Sequence, residues 1–404
     1  MPMNLLKAAY CRAFQFFFRI AIPFLPYRSP ILLESCADVP EQLRARKIQC
    51  VLIVTDKSIH GCGLIEPLKE ALRAADIRFA IFDETVPNPT VRNVEEARGL
   101  YLKEGCQGII GFGGGSAMDC AKVVGARIVR PNKPVKRMTG VLKVLHRLPF
   151  TVAVPTTAGT GSETTLAALV TDSETHHKFT INDFSLIPHA AVLDAEVTRS
   201  LPPRITATTG MDALTHAVEA YIGRSTTAST RADAIHALQL IRGNLLRAYR
   251  DGDDMGARRS MLRASFYAGR AFTKSYVGYC HSVAHSLGGR YNIPHGLANA
   301  VLLPHVLEAY GDSAHKKLWE LACALKLCDE SAPLKEGAER MIAMIRRMNA
   351  EMDIPETLPG IRREDIPKLA AHAEAEANPL YPVPKLMTRG ELEQFYYDVM
   401  EEEA

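Results

Sequence analysis

Gly108-Ile109-Ile110-Gly111-Phe112-Gly113-Gly114-Gly115-Ser116 is the stretch whose reading decides the fold class. A short apolar run ends in three successive glycines, and helical periodicity over residues 116–129 follows at once. The pattern predicts strand, tight turn and helix. The turn also carries chemistry. A diphosphate needs backbone N–H groups at close range, glycines permit that approach because no Cβ intervenes, and the start of the next helix adds unpaired donors. The spacing is not the GxGxxG of the usual dinucleotide fingerprint. Taken alone, the turn therefore also fits a plain tight connection.

Outward from this stretch the same rhythm repeats. Residues 51–54, 79–82 and 150–154 read as short buried strands, and residues 64–75 and 91–104 as helices between them. Alternating strands and helices predict a mostly parallel sheet covered on both faces. The rhythm stops near Leu201-Pro202-Pro203. Beyond it long helical periodicities dominate, over residues 207–221, 230–249, 255–273, 314–324 and 336–348, and no strand run stands out. The expected organisation is an amphipathic basic segment over residues 1–33, an α/β domain of mostly parallel sheet over 34–200 and an all-helical domain over 201–404.

Composition narrows the function class. Of 404 residues, 47% are hydrophobic and 23% charged, enough for a large core. A net charge of +3, with no clustered basic stripe, argues against nucleic acid as a partner. Nine scattered cysteines without a CxxC pair point to reduced thiols and a cytoplasmic setting. No stretch is long and apolar enough to span a membrane.

The first acidic residue is Glu34. Before it, Asn4, Lys7, Arg12, Gln15 and Arg19 share one side of a helical wheel, and Leu5, Leu6, Ala9, Phe16, Phe17 and Ile20 fall elsewhere. Phe18 interrupts the polar stripe. Pro23 and Pro26 end this amphipathic helix. The expectation is that its aromatic face docks on the protein body or on a neighbouring subunit, in preference to lying on an anionic membrane.

Two motif groups carry the chemistry. Pro155-Thr156-Thr157-Ala158-Gly159-Thr160-Gly161-Ser162-Glu163 follows the strand at 150–154. Small hydroxyl residues and glycines at the carboxyl end of a parallel strand line the crevice where such sheets bind ligands. Asp56 follows the strand at 51–54, where a carboxylate can accept from an adenosine ribose and repel a 2′-phosphate, or simply cap a helix. In the helical half, Asp212 and His216 stand one turn apart on one face. His281 and His285 repeat that spacing, and His295 follows in Pro294-His295-Gly296. An oxygen ligand with imidazoles suits Fe2+ or Zn2+, although spacing alone does not say which later histidines bind. Such a metal would act as a Lewis acid on an alcohol or carbonyl oxygen while a nicotinamide exchanges hydride with the carbon.

In combination, Gly113-Gly114-Gly115-Ser116, the segment 155–163, Thr209-Gly210-Met211-Asp212-Ala213-Leu214-Thr215-His216, and His281-x-x-x-His285 with Pro294-His295-Gly296 resemble the iron-containing (group III) alcohol dehydrogenase family. The resemblance covers about residues 40–400. It implies Asp212, His216, His281 and His295 as ligands of a divalent metal, Fe2+ before Zn2+. It implies His285 as a non-ligand catalytic histidine in proton relay. It assigns NAD contacts to Asp56, Asn88, Gly113, Gly114, Gly115, Ser116, Thr156, Thr157, Thr160 and Lys178. The implied activity is NAD(H)-linked oxidation of small primary alcohols or diols, or reduction of aldehydes, by a chain that commonly forms homodimers. Segment 1–33 has no counterpart in the minimal family pattern. Two other readings compete. One is an NAD- and metal-dependent lyase or cyclase resembling dehydroquinate synthase, which needs cations beside the metal to hold phosphate and carboxylate, with Arg290 the notable one nearby. The other is a non-catalytic, membrane-tethered scaffold.

Overall fold

In the computed structural model, which describes residues 5–172 and 178–401, Pro26–Leu201 forms one unit and residues 5–25 join residues 202–401 in a second. The segment expected as a single N-terminal extension is thus divided between them.

Among its described residues the first unit has nine strands: β1 (Ile31–Leu33), β2 (Cys50–Val54), β3 (Arg78–Phe82), β4 (Gly108–Gly113), β5 (Gly140–Val141), β6 (Phe150–Pro155), β7 (Ala167–Thr171), β8 (Lys178–Asn182) and β9 (Ala190–Val192). Six of them make a wholly parallel sheet in the order β1-β9-β6-β4-β2-β3. Side chains alternate across it. Val51, Ile53, Ile110 and Phe112 pack on one face with Leu68 and Leu72, and Leu52, Val54 and Ile109 pack on the other with Val94, Val123 and Val124. Both faces are buried, which is why these strands read as continuous apolar runs. Strands β1, β5 and β9 carry no such signal. They are two or three residues long, and Ala190 and Ala191 have little β propensity; pairing with the established neighbour β6 selects β9. Strands β7 and β8 pair antiparallel in a small second sheet with β5.

The second unit is helical. Its centre is the helix Pro203–Ile222, buried along most of its length from Thr206 onward. Ala228–Arg250 and Met255–Ser275 start on side-chain caps from Thr227 and Asp254, and pack beside it. Two further helices, Tyr279–Tyr291 and His295–Tyr310, were not legible in the sequence. Gly288 and Gly289 weaken the first pattern, and Pro304 lies inside the second.

The N-terminal helix, Leu5–Ala21, does not dock its aromatic face on the protein body, the first of the two expected places for it. Its polar stripe faces inward. Arg12 donates to the carbonyls of Val383 (2.8 Å) and Pro384 (3.0 Å), and Gln15, 3% exposed, donates to Tyr381 O (2.8 Å). Lys7 pairs with Glu374. Phe18, the misfit of the polar stripe, packs edge-on against Tyr276 with ring centres 5.0 Å apart. Leu5, Leu6, Phe16, Phe17 and Ile20 are exposed. Asn4 lies outside the described residues. The reason is hydrogen-bonding demand: the carbonyls of the segment Pro379–Pro384 need donors, and Arg12 and Gln15 are donors that reach them.

Candidate functional site

Asp212 and His216 project from the buried helix Pro203–Ile222, His281 from Tyr279–Tyr291, and His295 begins His295–Tyr310. One ligand atom from each of the four lies within 4.8 Å of all the others. The helices approach closely enough because residue 296 is glycine: a Cβ there would stand 2.3 Å from Thr208 O on the Asp212 helix. Asp212 Oδ1 is 3.8 Å from His281 Nε2 and 3.4 Å from His295 Nε2, and Asp212 Oδ2 is 4.0 Å from His216 Nδ1. The 3.8 and 4.0 Å separations are too long for hydrogen bonds and right for groups arranged around a shared cation. The His216 ring is stacked between Phe272 (4.1 Å) and His281 (4.4 Å).

The supporting residues fit that reading. His281 Nδ1 lies 2.6 Å from Glu219 Oε2, and Glu219 also accepts from the backbone N–H groups of Gly278 and Cys280. An imidazole that donates from Nδ1 turns its Nε2 lone pair inward, and His281 Nε2 is buried without a hydrogen-bond partner. Burial, and then His216, His295 and His285, hold the His281 imidazole well below its usual pKa. Burial likewise takes His295 down to about 4, against Asp212. Both are neutral, and therefore ligand-competent, at neutral pH. Burial lifts Glu219 to about 7 against its N–H donors; a cation beside His281 would draw it back toward the carboxylate. Asn299 Nδ2 sits 2.8 Å from Asp212 Oδ1 and 3.1 Å from His295 Nε2. Glu219 and Asn299 were missed in the sequence, although Glu219 lies three residues past His216 and Asn299 four past His295, on the same helix faces.

His285 stands apart from the four. Its Nδ1 is 2.6 Å from Glu376 Oε1, which also accepts from the Tyr381 hydroxyl, and its ring stacks on His295 at 5.0 Å. Burial lowers its pKa but the Glu376 carboxylate outweighs that, and the net shift is upward. Cys280 is fully buried. Burial, then Glu219 and Asp212, push its thiol well up, so it is an inert packed cysteine and no thiolate. Arg290 is paired with Asp365.

Glu219→Gln is expected to weaken metal retention by about 10- to 100-fold, since an amide orients and polarises the ligand imidazole less than a carboxylate. Metal content after dialysis against graded chelator measures this; retention equal to wild type would deny Glu219 that role.

In the first unit the carboxyl ends of β2, β4 and β6 bring the other predicted group together. The strand order reverses between β2 and β4, the position at which open parallel sheets bind ligands. Gly113 has φ +147°, and a Cβ there would stand 2.9 Å from Ala117 and 3.7 Å from Asp56 Oδ2. Gly114 and Gly115 lie in the same way beside Thr157 and Thr160. Thr156 N–H donates to Gly113 O, and Ser116 Oγ accepts from the Asn88 N–H. The helix Gly115–Val129 starts at this turn with its first N–H groups free of intrahelical partners. Asp56 does cap the next helix, accepting from Ile59 N–H (3.0 Å) with Oδ1, and this leaves Oδ2 on the glycine side. Lys178 is on β8, opposite Thr171, whose N–H donates to Pro89 O beside Asn88. It is half-buried, and burial lowers its pKa.

Behind the turn, Lys122 donates to Ser162, Thr165 and the Ala167 carbonyl, and Asp119 accepts from Ser162 and Leu169 N–H, which fixes the 156–165 loop. Glu163 is buried there with neither carboxyl oxygen hydrogen-bonded, and burial lifts it to about 7 from 4.5. The folded chain thus holds a proton that the unfolded chain releases above its own lower value. The contribution is present at low pH and is lost as pH rises through about 7. Glu163→Gln is expected to flatten the fall in Tm of the metal-loaded protein between about pH 4.5 and pH 7, an effect of roughly 3 kcal/mol. An unchanged slope would show that Glu163 is ionised throughout.

Comparison with known proteins agrees with this geometry. Residues 33–195 match the model of the iron-containing alcohol dehydrogenases, and residues 206–400 match that of the C-terminal part of the Fe-containing alcohol dehydrogenase family. The chain is 36% identical over 336 residues to lactaldehyde reductase of Escherichia coli (strain K12), covering 82% of this chain and 87% of that protein. The crystal structure of a 1,3-propanediol oxidoreductase superposes with a TM-score of 0.89 at 35% identity, over 93% of this chain and 99% of the other. A sulfoacetaldehyde reductase from Bifidobacterium kashiwanohense, solved in complex with NAD+, gives 0.82 at 26% identity over 93% and 99%. With both halves of the family pattern matched in order, and one aspartate and three histidines clustered as a divalent metal requires, the chain belongs to the iron-containing alcohol dehydrogenase family and is an alcohol oxidoreductase.

Proposed function

We propose that this chain interconverts short-chain alcohols or diols, of about two to four carbons, with their aldehydes, using NAD(H) and an Fe2+ ion held by Asp212, His216, His281 and His295. The observation that carries this is the four-ligand cluster with His281 oriented by Glu219. The ion would supply Lewis acidity toward the substrate oxygen. Three imidazoles and one carboxylate leave room for an exogenous oxygen ligand and also suit Zn2+. Asp56 takes the adenosine ribose in this reading. Gly113, Gly114, Gly115 and Ser116 take the diphosphate, with Thr156, Thr157, Thr160, Asn88 and Lys178 completing the dinucleotide site. His285 exchanges the substrate hydroxyl proton, with Glu376 holding its Nδ1. The small substrate class follows the similar proteins named for lactaldehyde and 1,3-propanediol. Nine free thiols support a cytoplasmic setting, and the family likeness supports assembly as a homo-oligomer.

The test is NADH oxidation under anaerobic conditions with a panel of C2–C4 aldehydes, on protein stripped by chelator and reloaded with Fe2+ or Zn2+. Turnover restored best by Fe2+ is the expected result. NADH binding without turnover under any metal would overturn it in favour of the lyase class.

A further inference from the structure

We propose that the exposed face of the helix Leu5–Ala21 is a docking surface for an anionic lipid bilayer, holding the enzyme on the membrane without crossing it. Among the described residues no helix is long and apolar enough to span a bilayer, so the contact is one of surface attachment. The helix is about 25 Å long. On its outer half Leu6 is 79% exposed, Phe17 68% and Ile20 52%, with Tyr10 and Phe16 beside them and Phe24 just beyond the helix end. No charged side chain interrupts that half. Lys7 and Arg19 stand at its two edges, and residues 1–33 contain no Asp or Glu. An apolar band edged by cations, several aromatic rings among it, is the arrangement that sinks into the headgroup boundary of an anionic membrane.

Charge separates this occupant from a second copy of the chain. Two such helices facing each other would bring Lys7 and Arg19 of one against the same residues of the other; Glu374 pairs with Lys7 but is shared with Arg389, and neither helix carries an Asp or Glu. Arg19 also acts electrostatically on Lys317, together with Arg231 and Lys316, with Glu320 as the acid beside them. That edge is therefore widened by cations. The inward side fixes which face is on offer. Arg12 and Gln15 satisfy the carbonyls of Val383, Pro384 and Tyr381, and rolling the helix to hide its aromatic face would leave those groups unpaired. The apolar face is held outward by polar bonds within its own unit, at a standing cost in exposed apolar surface.

The full-length, metal-loaded protein would be floated with vesicles of about 30% phosphatidylglycerol in phosphatidylcholine, with pure phosphatidylcholine, and with added salt, beside the triple variant Leu6→Ser/Phe17→Ser/Ile20→Ser. The expected result is flotation with the anionic vesicles that weakens in salt and on the neutral ones. The triple variant should lower partitioning on the order of a hundredfold with unchanged turnover, because none of the three residues touches the metal cluster or the glycine turn. Wild type that fails to float, or a variant that floats equally, overturns the proposal. A solution mass that falls in the variant without lipid present also overturns it and gives the face to a second copy.

Discussion

Replacing His281 with alanine is expected to reduce bound metal below about a tenth of wild type and kcat/KM by at least about a thousandfold, with the helical circular-dichroism signal unchanged. The size follows from position. His281 is 2% exposed, it faces Asp212 and stacks on His216, and its other nitrogen is fixed by Glu219. Alanine removes one of four donors and leaves Glu219 as a buried carboxyl that has lost an N–H partner. Neither loss can be made good by water alone, since the Glu219 side is enclosed. Elemental analysis after gel filtration and anaerobic steady-state kinetics measure both quantities. Full metal content with full activity would sink the four-ligand assignment. Full metal with lost activity would instead place His281 in the chemistry without ligation.

The second large effect concerns the choice of dinucleotide. Asp56→Gly is expected to raise the ratio of NADP to NAD activity by about 30- to 100-fold, because a carboxylate close to a 2′-phosphate opposes it by roughly 2–3 kcal/mol at a site near the protein surface. Glycine is the informative replacement. Asp56 also caps the helix Lys57–Gly61, and glycine at an N-cap costs only a few tenths of a kcal/mol against aspartate, so folding is little disturbed. The ratio of kcat/KM values for the two cofactors, on the same aldehyde, gives the answer. A ratio unchanged from wild type would reduce Asp56 to its capping role.

Much of the molecule can be read from local sequence. The strands β2, β4 and β6 are legible because burial on both faces makes each a continuous apolar run, and β3 because its apolar residues follow one another in the same rhythm. The glycine turn at 113–115 is legible because φ +147° at Gly113 and the contact with Ala117 exclude a side chain there. Asp212 and His216 are legible as a pair because 3.6 residues per turn puts i and i+4 on one face. The helices holding His281 and His295 are not, since Gly288, Gly289 and Pro304 carry the opposite local preference and tertiary packing overrides it. Glu219 and Asn299 had a signal, helical spacing from His216 and His295, but a lone Glu or Asn at such spacing reads equally well as a solvated face. Only their burial distinguishes them.

The sequence by itself determined the chemistry available: a glycine-lined turn after a parallel strand, a carboxylate after its neighbour, and an Asp and imidazoles at helical spacing. These depend on local geometry, which the backbone fixes over one or two turns. The tertiary structure alone decided which later histidines meet Asp212 and His216 within 4.8 Å, and that Glu376 holds His285 beside them. It also decided which way the N-terminal helix faces. Periodicity tells which residues share a face, but not which face is turned inward. Here buried carbonyls between Tyr381 and Pro384 demanded donors, so the side bearing Arg12 and Gln15 went in and the aromatic side stayed out.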